Sequence, residues 1–531
     1  MASSAARGTD STPARSSGVR LSELVAVLSF AADFGLGQPM EHVLRSCLIS
    51  LRLAERLGLN PRERRETYWV TLLATVCTGE SFELAQMFGS EVAFRSGIYH
   101  VGPSQLAQMA HSLGLAGSNH STPGRVRAAA GILASRGKTV EARFLAHCAL
   151  TTEISRRFDL DPGVGVALSH TFARWDGKGI PRGVSAEGVP RSVQLMQLAD
   201  FVEVHGRLHG VDGAIALART QGGKQFAPDL ARLFRAEAPE ILAGLDEHSW
   251  DRVIEAEPMP RPPLDEEEFQ RAIEVMAHIV DLKSPWFAGH SRGVAELAAG
   301  AVKAAGMPDQ DVANTRWAGY LHDLGRTGIS NAVWDKQAPL TESERERVRL
   351  QTYYTERMLR RPAALAGLGA IAAAHHERLD GSGYHRGIRG SDIPLPARYL
   401  GAADMYHALL EDRPHRPARD PKEAASVLRA EVRDGRLDAA AVDVILGISG
   451  HRRTGTVGAP AGLTAREVEV LVLVARGAST RHVARTLNIT PKTAGNHIER
   501  IYAKIGASSR ATATLFALER GMLSTLEPVQ P

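Results

Sequence analysis

The segment LDGSGYHRG, residues 379–387, has a near copy earlier in the chain, WDGKGIPRG at residues 175–183. One aspartate, one arginine and three glycines occupy the same positions in both segments. An Ala-Asp pair follows each segment, and its aspartate, Asp200 or Asp404, lies 17 residues beyond the last glycine. Because self-similarity at a fixed spacing is the signature of a repeated structural unit, the chain is predicted to contain one unit twice.

The spacing upstream of these segments supports the duplication and shows where the copies differ. His42 in the first copy corresponds to His290 in the second. Thirty-two residues beyond each histidine, the first copy has Ala74-Thr75 and the second has His322-Asp323. The second copy therefore keeps an adjacent histidine and aspartate that the first has lost, and the first carries an insertion in its middle.

Length and composition predict several helical domains. The chain has 531 residues, only 5% of them aromatic, and its apolar positions are mainly Ala, Leu and Val. We expect an all-α protein with two tandem helical bundles and a small four-helix domain at the C terminus. Its predicted divisions are a disordered tail at 1–19, the first copy at 20–257, the second copy at 265–448, a linker at 449–462 and a terminal module at 463–525.

The cysteines and the apolar segments restrict the compartment. The three cysteines, Cys47, Cys77 and Cys148, show no CxxC spacing, which favours reduced thiols in a cytoplasmic protein. The most apolar N-terminal segment contains Glu23 and Asp33, so neither a signal peptide nor a membrane span is expected.

The second copy contains a set of histidines and aspartates that suits a metal ion. His322-Asp323 follows the apolar helical run WAGYL, which we expect Gly325 to terminate. Imidazole and carboxylate are good ligands for Mn, Fe, Ni or Zn. The candidate ligands in this copy are His290, His322, Asp323, His375, His376 and Asp404.

These residues resemble the metal centre of the HD phosphohydrolase superfamily, which is built on a helical bundle from a histidine, a His-Asp doublet and a late aspartate. HHERLDGSGY at 375–384 and GAADMYHALLEDRPHRPA from Gly401 narrow the resemblance to the HD-GYP subgroup, which hydrolyses cyclic di-GMP. The resemblance implies that His290, His322-Asp323 and Asp404 hold one divalent metal ion, with Asp323 reaching a second. In that arrangement, His375 and His376 complete the second site.

The same resemblance implies a phosphate-binding turn and two catalytic groups. The catalytic groups are Asp323 and Arg326, and the glycine-rich turn presents backbone N–H groups to a phosphate. The predicted phosphate or ligand contacts are Asp380, Gly381, Gly383, Tyr384 and Arg386.

Three positions depart from the HD-GYP pattern. Arg326 stands where the family has a lysine, and Tyr353 aligns with a metal-binding histidine of a Thr-His-Pro motif. The Gly-Tyr-Pro signature reads Gly383-Tyr384-His385. These departures favour a single-metal site over a full multi-metal centre.

The first copy lacks the doublet, and two roles remain open for it. Ala74-Thr75 removes two metal ligands even though His42 and Asp200 are present. One interpretation is a pseudo-enzyme that packs against its twin. The other is a sensor that kept the pocket, because the turn with Lys178 and Arg182 is retained.

The terminal module has the pattern of a helix-turn-helix. Residues 463–523 contain nine basic and four acidic residues, whereas the whole chain has a net charge of only +4. Thr490 is predicted to cap a helix with Pro491 at its first position. In that helix the apolar residues Ala494, Ile498, Ile501 and Ile505 form an inward stripe.

The whole module resembles the LuxR-type DNA-binding domain, from LTAREVEVL to IYAKIGASSR. The resemblance implies binding to double-stranded DNA as a homodimer, with the helix at Thr512–Glu519 as the dimer contact. Gly495 replaces a lysine that is usual in the family. The predicted DNA contacts are Thr480, Lys492, Thr493, Asn496, His497, Arg500 and Lys504.

Two functions are consistent with these features. In the first, the chain is a transcriptional regulator whose body binds metal and a nucleotide or cyclic dinucleotide. In the second, it is a metal-dependent phosphohydrolase, and the DNA module only targets or reports that activity.

Overall fold

The computed structural model describes residues 17–76, 79–135, 137–245, 247–450, 461, 463–520 and 522–523. Over these residues the chain forms α-helices joined by loops and short 3-10 turns, with two isolated β-bridges and no strand. The predicted all-α fold is confirmed. No helix in the described ranges combines the length and the apolar character needed to cross a bilayer.

The first copy forms a bundle around α2, α3 and α10. Its long helix α10 is kinked at Gly210, whose φ of 69° is left-handed. The helices are α1 (Leu21–Gly35), α2 (His42–Arg56), α3 (Pro61–Leu73), α4 (Ser81–Phe88), α5 (Glu91–Val101), α6 (Gln105–Leu115), α7 (Thr122–Ala134), α8 (Lys138–Arg157), α9 (Pro162–Leu168), α10 (Arg191–Gln221), α11 (Pro228–Leu242) and α12 (Ser249–Glu255).

The second copy begins after the proline cluster, where Asp265 caps its first helix in a capping box with Glu268. Its helices are α13 (Glu266–Asp281), α14 (His290–Ala304), α15 (Asp309–Leu321), α16 (Asn331–Trp334), α17 (Glu342–Leu359), α18 (Ala366–Ala373), α19 (Leu395–Leu409), α20 (Pro421–Arg433) and α21 (Ala439–Ser449).

The terminal module contains four helices in the described part of the chain, as predicted. Thr490 caps the third of them and Pro491 occupies its first position. The helices are α22 (Ala465–Ala475), α23 (Thr480–Thr486), α24 (Pro491–Ile505) and α25 (Arg510–Glu519).

A pair of buried aspartates shows the duplication in three dimensions. Asp33 and Asp281 each lie nine residues before the histidine that begins the next helix. Asp33 Oδ1 accepts a hydrogen bond from the backbone N–H of Val43 at 3.0 Å, and Asp281 Oδ2 accepts one from Ser291 at 3.0 Å. The two copies thus fix the start of α2 and of α14 with the same contact.

The insertion in the first copy comprises α4 to α7 and has a small core of its own, around Phe88 and Phe94. It also contacts the second copy through a buried ion pair. Glu91 Oε1 lies 3.2 Å from Lys283 Nζ, and both side chains are fully buried. The same carboxylate accepts a hydrogen bond from the backbone N–H of Asn331 at 2.9 Å.

The terminal module packs on both copies through α25. Arg292 on α14 donates to the carbonyl oxygens of Leu518 and Glu519 at 3.3 Å each. Arg157 at the end of α8 forms an ion pair with Glu519. The helix proposed as a dimer contact therefore lies against the body of its own chain.

The predicted tail and linker fall largely outside the described residues. Residues 1–16, 451–460 and 462 are not described. Ser17 and Val19 form backbone hydrogen bonds with Leu264, and Val19 is buried, so the packed body begins before residue 20.

Candidate metal centre and DNA-binding face

The six predicted metal ligands come together in the interior of the second bundle. His290 is the first residue of α14, and His322-Asp323 follows the end of α15. His375-His376 lies just after α18, and Asp404 lies on α19. All of these side chains are buried except that of His376, which is partly exposed.

The donor atoms of this cluster lie close to one another. His290 Nε2 is 3.1 Å from Asp404 Oδ1 and 3.4 Å from Asp323 Oδ2. His322 Nε2 is 3.0 Å from Asp323 Oδ2, and His375 Nε2 is 4.0 Å from Asp323 Oδ1. Among the described residues, each trio of side chains with donor atoms within 4.8 Å of one another lies in this copy.

Two of the histidines are held so that a lone pair faces the centre. His322 Nδ1 donates to the carbonyl of Gly319 at 2.7 Å, and His375 Nδ1 donates to that of Ala372 at 2.6 Å. Since a carbonyl only accepts, both rings carry their proton on Nδ1 when neutral. The Nε2 atoms of both rings and Oδ1 of Asp323 are buried without a hydrogen-bond partner. Such a group of buried acceptors fits a cation.

The electrostatics of His375 and Asp323 support the same conclusion, whereas burial alone would lower the pKa of His290 but Glu411 and Asp404 raise it to about 10. Burial, with the neighbouring His322, lowers the pKa of His375 to about 4, so its ring stays neutral at pH 7. Burial alone would raise the pKa of Asp323, but Arg326 and His322 hold it well below its usual range. Neutral imidazoles and ionised carboxylates are the forms that bind divalent metal ions.

Glu411 contacts the predicted ligand His290 through the second ring nitrogen of that histidine, and the sequence motifs did not identify Glu411. Its Oε2 lies 2.9 Å from His290 Nδ1 and 2.6 Å from Arg413. Burial opposes ionisation, yet His290 and Arg413 keep the pKa of Glu411 well below normal. Glu411 lies in the turn after α19, which ends at Leu409, so helical spacing from Asp404 does not identify it.

Arg326 is buried beside the cluster of predicted metal ligands. It forms an ion pair with Asp323, and its guanidinium group stacks 4.0 Å from the centre of the Phe287 ring. Its Nε and Nη1 atoms are buried without a hydrogen-bond partner.

Two expectations about this region are wrong. Helix α15 ends at Leu321, so Gly325 does not terminate it. Gly325 is instead required because a Cβ there would lie 1.8 Å from the backbone oxygen of Gln351. The second concerns Tyr353, which aligns with a metal-binding histidine of the family: its side chain is 38% exposed and its ring meets His385 edge-on, whereas Gln351, two residues earlier, is buried.

The residues of the glycine-rich turn mostly stabilise the turn itself. Asp380 Oδ1 accepts a hydrogen bond from the backbone N–H of Ser382 at 2.9 Å, and Arg386 pairs with Glu356. Gly381 has a φ of 81°, and a Cβ on Gly383 would lie 2.4 Å from the backbone nitrogen of Arg378. Tyr384 stacks on His376 with ring centroids 4.8 Å apart.

In the first copy, the remaining histidine and aspartate bond to each other. His42 Nε2 lies 2.9 Å from Asp200 Oδ1, and His42 Nδ1 lies 2.5 Å from Glu203. Burial would lower the pKa of His42, but Glu203 and Asp200 raise it to about 10. His290 makes the equivalent two contacts in the second copy and its pKa is likewise raised to about 10, so the first copy differs not here but in lacking the His-Asp doublet.

The outer face of α24 is open to solvent. Lys492, Asn496 and Arg500, four residues apart, are all exposed, and Thr480 is exposed at the start of α23. Thr493 Oγ1 lies 2.8 Å from the capping Thr490, while His497 is partly buried.

Lys504, by contrast, forms an ion pair with Glu467 at 2.7 Å. On the inner face of α24, Ala494 and Ile501 are fully buried, and Ile498 and Ile505 are partly buried. The predicted inward stripe is confirmed.

Two family models match the chain. The model of the HD domain matches residues 274–441, and that of bacterial regulatory proteins of the luxR family matches residues 461–517. The chain carries an HD domain and a LuxR-type DNA-binding domain. The HD domain is the copy that contains the candidate metal centre, and the LuxR-type domain contains the exposed face of α24.

Known phosphodiesterases are similar to the HD body. The 3'3'-cGAMP-specific phosphodiesterase 3 of Vibrio cholerae is 29% identical over 414 residues, which are 77% of this chain and 90% of that protein. A cyclic di-GMP phosphodiesterase of Thermotoga maritima is 34% identical over 137 residues, which are 25% of this chain and 37% of that protein.

A solved structure extends the similarity into the first copy. The crystal structure of a cyclic GMP-AMP specific phosphodiesterase from V. cholerae matches with a TM-score of 0.58 and 26% identity. The match covers 82% of this chain and 98% of the other. The HD body is therefore related to a cGAMP phosphodiesterase over both copies, and to a cyclic di-GMP phosphodiesterase over about a quarter of the chain.

Proposed function

We propose that this chain is a DNA-binding regulator whose HD domain binds a divalent metal ion and a cyclic dinucleotide and hydrolyses a phosphodiester bond of that ligand. The main support for this proposal is a group of buried acceptor atoms without hydrogen-bond partners. These atoms are His322 Nε2, His375 Nε2 and Asp323 Oδ1. Relatives that act on cGAMP and cyclic di-GMP support the ligand class.

The metal ligands in this proposal are His290, His322, Asp323 and Asp404, with His375 and His376 available for a second ion. Mn, Fe, Ni and Zn all suit this mixture of nitrogen and oxygen donors. A bound ion of this kind polarises a phosphoryl oxygen and lowers the pKa of a water molecule.

The chain's own residues orient the ligand. Arg326 places two unpartnered N–H groups beside Asp323, where they can donate to a phosphate oxygen. Its stacking on Phe287 fixes the plane of the guanidinium group. Tyr384 presents an aromatic ring next to His376, on which a base can stack.

The DNA-binding role rests on the exposed face of α24. Lys492 and Arg500 would contact phosphates, and Asn496 would contact a base edge in the major groove. We propose that the chain binds DNA as a homodimer. Because α25 lies against α8 and α14, pairing through α25 requires the LuxR-type domain to separate from the body.

The test is to purify the full chain, measure bound metal, and assay cGAMP and cyclic di-GMP hydrolysis for the wild type, Asp323→Ala and Asp443→Ala. Asp443 is an exposed residue of α21 and serves as the matched control. We expect metal binding and hydrolysis in the wild type and the control and neither in Asp323→Ala. Equal metal content and equal activity in all three proteins would refute the enzyme.

A second candidate is a site that binds the ligand without turnover. Two observations favour it: Arg326 pairs with Asp323, and the buried side chain of α17 beside Gly325 is the amide of Gln351. Ligand binding by the wild type without product formation would support this candidate.

Titration of operator DNA with and without the cyclic dinucleotide tests the regulatory role. An unchanged DNA affinity would instead support a phosphohydrolase that the DNA module only targets.

A further inference from the structure

The first copy contains a cavity at the place where the second copy has its metal centre. Its volume is about 300 Å³, and Ala74, Thr75, His147, Phe172 and Asp200 are among the residues that line it.

Residue spacing identifies this cavity as the counterpart of the centre. His147 and Gln351 are 204 residues apart, as are Asp176 and Asp380, and Asp200 and Asp404. By the same spacing, Thr171-Phe172 corresponds to His375-His376. The first copy has therefore replaced metal ligands by a methyl group, hydroxyl groups and an aromatic ring.

The polar atoms that remain are unsuited to a metal. His147 Nε2 lies 2.6 Å from the carbonyl oxygen of Ala74, so this nitrogen carries a proton. His147 Nδ1 is 3.1 Å from Glu80. The oxygens of Asp200 accept hydrogen bonds from His42 at 2.9 Å and from the Tyr99 hydroxyl at 2.9 Å. His147 Nε2 thus offers no lone pair and each Asp200 oxygen already accepts one hydrogen bond, so this wall lacks the unpartnered imidazole and carboxylate acceptors of the second copy.

The cavity wall offers donors for an anion. Four cationic side chains line it, Arg95, Arg143, Arg174 and Lys178; Arg95 pairs with Glu80, Arg174 with Asp176 and Arg143 with Glu83, which leaves Lys178 as the cation of this group not paired with a carboxylate. Arg143 Nε and Thr75 Oγ1 are buried without a hydrogen-bond partner. Lys178 lies exposed at the edge of the cavity. These groups can donate to a phosphate.

The wall also offers a surface for a planar ring. Phe144 and Phe172 pack together with centroids 4.5 Å apart, and Phe94, Tyr99 and Phe201 line the rest. Aromatic side chains beside a phosphate-binding group are a common arrangement for binding a base. A cavity of 300 Å³ lies at the lower end of the roughly 300–1,000 Å³ typical of ligand sites, which favours one nucleotide over two.

We propose that the first copy is a binding domain for a nucleoside monophosphate, with its base against Phe144 and Phe172 and its phosphate held by Arg143 and Lys178. The insertion closes this site, because Gln105 on α6 donates to the backbone oxygen of Lys178 at 2.8 Å. Ligand binding at Lys178 therefore affects a contact of the insertion. The insertion in turn contacts the second copy through Glu91.

The experiment measures binding of GMP and of AMP to the full chain carrying Asp323→Ala, with inorganic phosphate as a comparison. The Asp323→Ala background removes a metal ligand and prevents hydrolysis at the HD centre, and the Arg143 and Lys178 substitutions then assign the nucleotide binding to the first copy. We expect one nucleotide per chain, tighter binding of the nucleotide than of phosphate, and roughly tenfold weaker binding after Arg143→Ala or Lys178→Ala. Arg127→Ala on the exposed face of α7 is the matched control and should leave binding unchanged.

Each variant is also checked for its melting temperature without ligand, because Arg143 contacts Glu83 at 3.3 Å. Lys178 is exposed and has no comparable structural contact, so its substitution keeps the test valid if Arg143→Ala destabilises the fold. The proposal is overturned by the absence of nucleotide binding at millimolar concentration, or by binding that both substitutions leave intact. Hydrolysis by the wild-type HD centre is measured separately, so either proposal can fail alone.

Discussion

Gln351 is a buried residue of α17 beside the loop that follows His322-Asp323. Its backbone oxygen contacts Gly325, its side chain is buried, and its Oε1 has no hydrogen-bond partner. Tyr353, two residues later, points to the surface because a shift of two positions turns a helix by more than half a circle. An amide at this place contributes at most a weak oxygen ligand.

Replacing Gln351 with histidine should increase metal binding. An imidazole at a buried position next to Gly325 adds a nitrogen donor near the cluster, so Gln351→His should bind more metal per chain than the wild type. Tyr353→His is the matched control, and we expect it to leave the metal content unchanged. Metal analysis of the three purified proteins is the measurement, and a gain confined to Tyr353→His would contradict the structure.

His278 should make the protein sensitive to acid. The side chain is 4% exposed and neither ring nitrogen has a hydrogen-bond partner. Burial, with the nearby Arg157 and Arg292, lowers its pKa to about 3. The unfolded chain takes up this proton near pH 6.5 and the folded chain does not, so stability falls as pH drops from 6.5 towards 3.

The size of this effect is about 2 kcal/mol at pH 5. His278→Leu should therefore lose less melting temperature between pH 7 and pH 5 than the wild type. His120→Leu, at an exposed histidine, should follow the wild type. Parallel melting curves for His278→Leu and the wild type would show that His278 is not the source of the acid sensitivity.

At the level of single residues, the sequence predicted ligands that lie at equal spacing in a repeat. His290 and Asp404 were identified in this way, His322-Asp323 was identified as the doublet that the first copy lacks, and the structure brings these side chains together. Glu411 was missed because it lies in the turn after α19. Gln351 was missed because the rotation of α17 places it in the interior and Tyr353 at the surface. Neither the motif nor the repeat encodes that rotation.

Helix α5 of the insertion is connected to the second copy by the pair of Glu91 and Lys283. Burial opposes ionisation of Glu91, but Lys283 and the backbone N–H of Asn331 hold its pKa below normal. A buried carboxylate that loses its cation is left with an uncompensated charge, which typically costs 3–5 kcal/mol.

Lys283→Met should lower the free energy of unfolding by about 3 kcal/mol, because Glu91 keeps its hydrogen bonds but loses its counter-ion. Lys303→Met, at an exposed position of α14, is the control and should change stability little. Denaturant titration measures both, and equal stabilities would show that the pair contributes nothing.

Elements with strong local signals were predicted well. Thr490 and Pro491 define the start of α24, and the four-residue spacing of its apolar residues defines its buried face. The prediction that Gly325 ends α15 was wrong. Gly325 is required by its contact with α17, and the local sequence pattern does not contain this tertiary effect.

The docking of the LuxR-type domain is a property of the whole molecule, and the sequence did not reveal it. The apolar residues of α25 predict a buried face but do not specify what covers it. In the structure, contacts from Arg157 and Arg292 hold the C-terminal end of α25.

Weakening these contacts should change the oligomeric state. The double substitution Arg157→Ala and Arg292→Ala removes the ion pair and the hydrogen bonds to α25, so it should free that helix and increase the dimer fraction. Arg156→Ala, on the exposed side of α8, is the control. Sedimentation of the three proteins measures the effect, and identical mass distributions would argue against pairing through α25.

The first turn of α14 contacts both the candidate metal centre and the LuxR-type domain. His290 belongs to the candidate metal centre, and Arg292, two residues later, donates to the last carbonyl groups of α25. If filling the metal centre changes the affinity for DNA by some factor, thermodynamic reciprocity requires DNA to change the affinity for the metal centre's ligand by the same factor. A promoter would then act as an effector of the HD domain, and the concentration of free binding sites on the chromosome would help to set how much signalling nucleotide the protein holds.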